Sequence, residues 1–412
     1  MKVLKDFIFS LKQRQSLVHK SYNYVLTNVS CDMDSVVSSI LLSFAYNIQN
    51  LSSLDWDNYF QNEDSEEKKS KKVENNQDKH FFIPLINCKK SEFKFRLDLV
   101  YLFKVYNINY EHLFFIDEFN LENHFKDEKL HKIILVDHNK LDFSQSNLSN
   151  NIIEIIDHHD DSGDNKYPNL KEKFIKYPLG SCSTLILLNY YLTSPLMLGL
   201  FRGENIDFLV SAILQDSENF HQQMYKWRWV DLDKYVFDKI CEIGTHSEDF
   251  YKNISDSKFD LKSNLDLGIE NLMVKDKKTF VYTSDVTKNQ LIVEWSSLQV
   301  NYRDVVDHFS KETVLNYFKT KDDKIDIYIT SSNYGLYNKI AGVYISNKAQ
   351  ERLIFGIRNF IDEFKNVLGK DFLTAENITD NFYSEIIIAN NYTRKNLEPI
   401  IKDIFISKFL SK

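Results

Sequence analysis

The sequence predicts an α/β protein of two domains, an N-terminal one with a mainly parallel sheet flanked by helices and a smaller C-terminal one of mixed α/β structure. Three observations carry this expectation. At 412 residues the chain exceeds the size at which a single hydrophobic core usually keeps growing. The short, almost continuous apolar runs "HFFIPLIN", "HLFFID", "KIILVDHN" and "NIIEIIDHH" alternate with helix-like segments, the pattern of strands covered on both faces of a parallel sheet. From about Asp231 the texture changes, and "KKTFVYTSDV", "QLIVEWSSL", "KIDIYIT" and "NKIAGVYIS" mix strands and helices differently. The expected domains are residues 1–230 and 231–412, the second opening with the linker helix "LDKYVFDKICEIG" and a hinge near residues 225–245.

In order along the chain, the basic, amphipathic start "MKVLKDFIFSLKQRQSLVHK" reads as a first helix; Asp6 and the lack of Arg and Ser enrichment speak against an organelle presequence. "YNYVLT" is β-rich and leads through "NVSCDMDS" to "VVSSILLSFAYNI", a run of helical length with small residues for close packing. Residues Gln61 to His80 are a mixed-charge block, expected as a solvated loop.

Composition narrows the function classes. Hydrophobic residues make up 43%, with 31 Phe and 23 Tyr against 10 Gly and 5 Pro, as in a folded protein with large cores. No apolar run reaches the roughly 18 residues of a membrane span, so no membrane partner is expected. Four cysteines are scattered without a C-x-x-C pair, which fits a reducing, cytoplasmic setting better than a disulfide framework or a zinc site. A formal charge of −8 disfavours a general nucleic-acid coat, and no nucleic-acid partner is expected.

Four acidic segments ask for one explanation: Asp32-Met33-Asp34, Asp137-His138-Asn139, Asp157-His158-His159, and Asp216 in "FLVSAILQDSENF". Each has an ordinary reading: "DMD" as a turn with a helix-capping Asp, Asp137-His138-Asn139 as a solvated turn, Asp216 as a cap or ion pair. Together, three of them just past strand ends where α/β sheets bind ligands, they meet the needs of a two-metal site. Two divalent ions roughly 3.5–4 Å apart require several carboxylates, one bridging, plus imidazoles, and clamp the attacking and leaving oxygens of a phosphoryl group. The oxygen and nitrogen ligand set suits Mn²⁺ or Mg²⁺, with Co²⁺ or Zn²⁺ compatible. Elsewhere, "LGSCSTLI" reads as a Gly-led loop whose hydroxyls and N–H groups hold an anion or cap a helix, and Arg96 in "FKFRLDL" as a phosphate contact or a partner of Asp98.

In their order, "NVSCDMDS", "ILVDHN", "IIDHHDD", "LGSCSTL" and "AILQDSENF" resemble the DHH phosphoesterase superfamily, and closely its branch of yeast-type cytosolic exopolyphosphatases and prune proteins; "NNYTRKNLEP" is similar to the Ser-Arg-Lys phosphate motif of that branch's second domain. The resemblance implies an active site in the cleft between the domains. It implies that Asp32, Asp34, Asp137, His158 and Asp216 ligate two metals, with Asp137 bridging, that His159 acts at the substrate, and that Arg394 and Lys395 hold phosphate. Asn28 stands where the related family II pyrophosphatases use a metal-binding His and exopolyphosphatase-like members have Asn, and is expected to touch substrate. Thr27 departs from the common Gly and Thr393 from the Ser of Ser-Arg-Lys. The expected activity is removal of the terminal phosphate from linear inorganic polyphosphate by a monomer. The alternatives are an inorganic pyrophosphatase, a prune-like short-chain polyphosphatase or cyclic-nucleotide phosphodiesterase, and a non-catalytic scaffold of the same fold.

Overall fold

The computed structural model describes the chain apart from residues 15–21, 51–80, 162, 164–165, 285–286, 321–324, 335–337, 347–348, 350–356, 380–382, 390–391, 393 and 411–412. The mixed-charge block 61–80 and Thr393 therefore lie outside the described residues, as do residues 15–20 of the segment expected as a first helix, which is a helix over Lys2–Arg14.

Residues Met1–Ser257 and Lys258–Lys412 form two compact units. The division falls after the expected linker helix rather than before it. That helix, Asp231–Cys241, buries Asp233, Val236 and Ile240, and the last two join the N-terminal core.

The N-terminal sheet has six strands: β1 (Tyr22–Leu26), β2 (Phe81–Ile86), β3 (Phe114–Phe115), β4 (His131–Val136), β5 (Ile152–Asp157) and β6 (Glu172–Ile175). Their spatial order is β3-β2-β1-β4-β5-β6, and every pairing is parallel. Continuous apolar runs suit this arrangement because helices cover both faces, and all five residues of β1 are buried. The order reverses between β1 and β4, and the crevice beyond the carboxyl ends of strands at such a switch is where α/β sheets bind ligands. Register fixes what meets there: Leu26 pairs with Leu135, so the residues after β1 lie beside those after β4.

The helix Met33–Asn50 follows β1 directly. Its buried Ser35, Ser38, Ser39 and Ser43 let it lie close on the sheet, and Ser39 Oγ donates to Val25 O at 2.6 Å.

The C-terminal unit holds a mixed sheet of β7 (Lys277–Thr283), β8 (Gln290–Ser297), β9 (Ile327–Tyr334), β10 (Asn338–Ile345), β11 (Phe372–Thr379) and β12 (Tyr383–Ala389). Its order is β11-β12-β10-β9-β8-β7, antiparallel throughout except between β8 and β9. The strand period of two divides its residues between two cores. Val293, Trp295, Ile327, Ile329 and Val343 pack with the helices Ile357–Leu368 and Arg394–Ile404, while Ile292, Tyr328 and Tyr344 pack with Tyr302–Phe309 and Lys311–Lys319.

Candidate metal centre

Asp137 is the first residue past β4. Its amide still donates to Ile156 O at 3.0 Å, but its φ of +61° turns the backbone out of the strand. Asp is among the few side-chain-bearing residues that tolerate this left-handed conformation, which carries local strain. Asn28 Nδ2 donates to Asp137 Oδ2 at 2.8 Å, while Asn28 Oδ1 accepts from Cys31 N at 2.9 Å. Both ends of the Asn28 amide are thus engaged within the chain, and the residue expected at the substrate here orients Asp137. Thr27, the departure from Gly, is fully buried, and its hydroxyl accepts from Asn87 N at 2.8 Å, which ties the ends of β1 and β2 together.

From β5, His158 Nδ1 lies 2.8 Å from Leu179 O. A carbonyl only accepts, so Nδ1 carries a proton and Nε2 is the nitrogen turned toward the acids. Nε2 stands 3.1 Å from Asp137 Oδ1 and 3.7 Å from Asp34 Oδ2. His159 turns the other way: its Nδ1 donates to Asp157 Oδ1 at 2.7 Å, and it is the half-buried member of the group. Asp157 also accepts from the amides of His158 and His159 and from Asn139 Nδ2 at 2.8 Å. His138 Nδ1 lies 2.9 Å from Val136 O.

The DMD segment fulfils its bland reading and leaves room for the sharper one. Asp32 is exposed, and its Oδ1 accepts from Ser35 N at 3.1 Å as a helix cap. Asp34 is buried, and its carboxylate explains "LGSCSTLI": Oδ1 accepts from Ser181 Oγ at 2.7 Å and from Ser183 N and Oγ, each at 2.9 Å, and Oδ2 accepts from Cys182 N at 2.6 Å. The anion held by that loop is the chain's own. Asp216 ends the helix Asp207–Asp216, which packs on Met33–Asn50. Arg96 is buried and donates from Nε to Ser30 O at 2.7 Å, bracing the loop that carries Asp32.

Among the described residues, Asp137, Asp157, His158 and His159 bring one ligand atom each within 4.8 Å of one another. Asp32, Asp34 and Asp216 fall outside this tight group. The sequence names Asp157 with its segment but assigns it no role of its own, although its place at the end of an apolar strand, directly before two His, marks it.

The charges do not balance internally. Burial, then Asp34 and Asp32 nearby, drive the Asp137 carboxyl well above the usual range, against the opposing pull of His158, whose Nε2 is 3.1 Å from Oδ1. Burial also pushes Asp157 up, but the His159 hydrogen bond and the neighbouring imidazoles outweigh it and hold the acid at about 2. A buried carboxylate oxygen, an imidazole nitrogen 3.1 Å from it and a second carboxylate 3.7 Å from that nitrogen form a donor set that suits a divalent cation.

In the C-terminal unit Arg394 begins the helix Arg394–Ile404. Its Nη1 donates to Asp276 O at 2.9 Å and its Nη2 to Asp276 Oδ1 at 2.8 Å, so the fork expected for phosphate grips the loop before β7. Lys395 follows in the same helix.

Residues 23–213 match the family described as "DHH family, N-terminal domain". Human exopolyphosphatase PRUNE1 is 25% identical over 258 residues, covering 62% of this chain and 49% of the relative. A candidate exopolyphosphatase of Schizosaccharomyces pombe is 25% identical over 282 residues, 63% of this chain and 60% of that one. The chain thus spans about half the length of the human relative it matches. The structure of a candidate family II inorganic pyrophosphatase from Methanococcus jannaschii superposes with a TM-score of 0.54 at 18% identity, over 92% of this chain and 97% of that one, a likeness of fold. Residues 23–213 thus match the DHH family N-terminal domain, and the chain is similar over about three fifths of its length to proteins named as exopolyphosphatases.

Proposed function

We propose that the chain is a metal-dependent hydrolase of phosphoanhydrides that removes the terminal phosphate from linear inorganic polyphosphate. The supporting observation is Asp137, whose buried carboxylate lies among Asp34, His158 and His159 at the sheet's switch point. Asp32, Asp34, Asp137, His158 and Asp216 would hold two divalent ions, Mn²⁺ or Mg²⁺, which supply neutralisation of the phosphoryl oxygens and activation of water. Asp157 fixes His159 with its Nδ1 proton inward, so Nε2 is the atom that exchanges a proton with the departing phosphate, and Asp157 stabilises the charge gained. Arg394 would hold the chain by a planar fork and Lys395 by a point charge. We take the protein to act as a cytoplasmic monomer.

Asn28 favours polyphosphate over pyrophosphate. Its amide orients Asp137 where, by the resemblance above, family II pyrophosphatases place a ligating imidazole. The test is orthophosphate release by the purified chain with Mn²⁺ or Mg²⁺ from pyrophosphate, triphosphate, long-chain polyphosphate and cyclic AMP at equal enzyme concentration. Long-chain polyphosphate should be turned over fastest. Preference for pyrophosphate or cyclic AMP would replace the substrate, and inactivity on all four would return the chain to the scaffold reading.

A further inference from the structure

Helix Asp231–Cys241 contributes a group that the sequence did not mark. Asp233 is fully buried and belongs to neither the DHH segment nor the DMD segment. Its Oδ2 accepts from Val230 N at 2.9 Å, an ordinary helix-start bond, and also from Gly180 N at 2.9 Å. Its Oδ1 accepts from Thr184 Oγ1 at 2.6 Å.

The Gly180 amide belongs to the same peptide plane as the Leu179 carbonyl, which meets His158 Nδ1 at 2.8 Å. A trans peptide points its N–H and C=O in opposite directions, so Asp233 and His158 bind opposite edges of one rigid plane. A carboxylate accepting from the N–H increases the negative charge on the carbonyl oxygen, because hydrogen bonds in series polarise one another in a low-dielectric interior. That oxygen accepts only, and so fixes the His158 proton on Nδ1 and directs Nε2 at Asp137 and Asp34.

The site admits no bulk at its centre. A Cβ on Gly180 would lie 2.4 Å from Arg228 O and 3.0 Å from Asp233 Oδ2, so the close approach of helix, loop and peptide requires glycine there.

We infer that Asp233 is a positioning residue that acts through the Leu179–Gly180 peptide to hold His158 as the Nδ1–H tautomer with a strongly donating Nε2. The inference rests on the reading of His158 as a metal ligand, and is independent of which phosphoanhydride is the substrate. In metal sites the group holding the far nitrogen of a ligating imidazole is worth about 10–100-fold in affinity. One peptide removed from the ring, Asp233 should fall at the low end.

The test uses the full chain labelled with ¹⁵N-histidine, the His158 signals being assigned by difference with His158→Gln. The metal-free wild type should show the Nδ1–H tautomer at His158. Asp233→Asn keeps an acceptor for Gly180 N and Val230 N and an amide for the Thr184 hydroxyl, but loses the charge. It should change the His158 ¹⁵N shifts and weaken Mn²⁺ binding, measured by calorimetry, about tenfold. Thr184→Val removes one donor and keeps the charge, so it should retain the tautomer and bind Mn²⁺ within about twofold of wild type.

An Nε2–H tautomer in the wild type overturns the inference whether or not any variant folds. Unchanged shifts and affinity in Asp233→Asn overturn it, and so does an equal loss in Thr184→Val, which would assign the effect to packing. If the predicted shifts and affinities hold but polyphosphate is not hydrolysed, the substrate assignment fails and the relay stands.

Discussion

The two ends of the parallel sheet bury ionisable groups in opposite ways. Toward the amino end, Tyr46 donates to Glu154 at 2.6 Å and meets Tyr190 at 2.9 Å, and Tyr24 lies 2.7 Å from His124, whose ring stacks 4.3 Å from His131. Burial, with Glu172 nearby, pushes Glu154 up to about 7, and burial, with His131 beside it, pushes His124 down to about 4, so in both the neutral form is favoured. At the carboxyl end Asp157 is held ionised at about 2 while Asp137 is driven up beside Asp34. A perturbed titration therefore does not by itself mark a site, since both ends have one. The carboxyl end differs in that its acids crowd against each other and against aimed imidazoles, which a cation relieves and packing does not.

The strongest way to break this contrast is Asp137→Asn. On the proposed function, loss of this carboxylate should lower polyphosphate hydrolysis by well over about 100-fold, the upper range for groups that merely support a metal's ligands. The same change removes a buried charge that its neighbours disfavour, so the metal-free variant should melt above wild type in calorimetry. If metal-free Asp137→Asn melted below wild type, the acids would not be crowded as described.

At the amino end Glu154→Gln should do the reverse, leaving activity in place and changing how stability depends on pH. The folded pKa of about 7 exceeds the ordinary glutamate value of 4.5. Between those values the folded state binds the extra proton, so stability is greatest at the acid side and falls as pH rises through the window. The loss is of order 3 kcal/mol by pH 8. Gln keeps the acceptor for Tyr46 and has no charge to bury. Urea midpoints at pH 5 and pH 8 should therefore diverge in wild type and converge in the variant; an unchanged pH slope in the variant would show that Glu154 ionises without cost.

Mn²⁺ tests the carboxyl end directly. At a hundredfold excess over its dissociation constant a ligand of the folded state adds about 2.7 kcal/mol. For a unit the size of Met1–Ser257 that is roughly 5–10 °C of melting temperature. The gain should vanish with chelator and in Asp137→Asn, and persist in Glu154→Gln. Equal gains in all three proteins would locate the ion elsewhere.

The sequence made the sheet legible because continuous apolar runs have one use in an α/β domain, and it made Asp137, His158 and His159 legible because their motifs sit directly at strand ends. It did not reveal Asp157's grip on His159 or Asp233's on Gly180, since a carboxylate that organises a neighbour looks the same in a one-dimensional chain as one that binds a ligand. The division between the units was misjudged for a related reason. Helix Asp231–Cys241 follows a change of texture, but whether Val236 and Ile240 join the core before or after them depends on packing, which periodicity alone does not specify. The anion of "LGSCSTLI" was foreseen as a class, but not as Asp34, 147 residues away from Ser181.

The smallest expected effect lies in the C-terminal unit, where Arg394 carries the phosphate-grip reading. Arg394 spans Asp276 O and Asp276 Oδ1 with two nitrogens of one plane. A lysine brings a point charge that reaches one acceptor and not the pair, so Arg394→Lys should cost that unit about 1 kcal/mol by urea denaturation. If the guanidinium also serves the polyphosphate chain, KM should rise while kcat holds, because a grip on phosphates remote from the reacting bond contributes equally to ground state and transition state. A fall in kcat at constant KM would mean instead that Arg394 acts on the phosphate being transferred. No change in either constant would confine the residue to holding the loop before β7, leaving the carboxyl end of the parallel sheet to bind substrate without it.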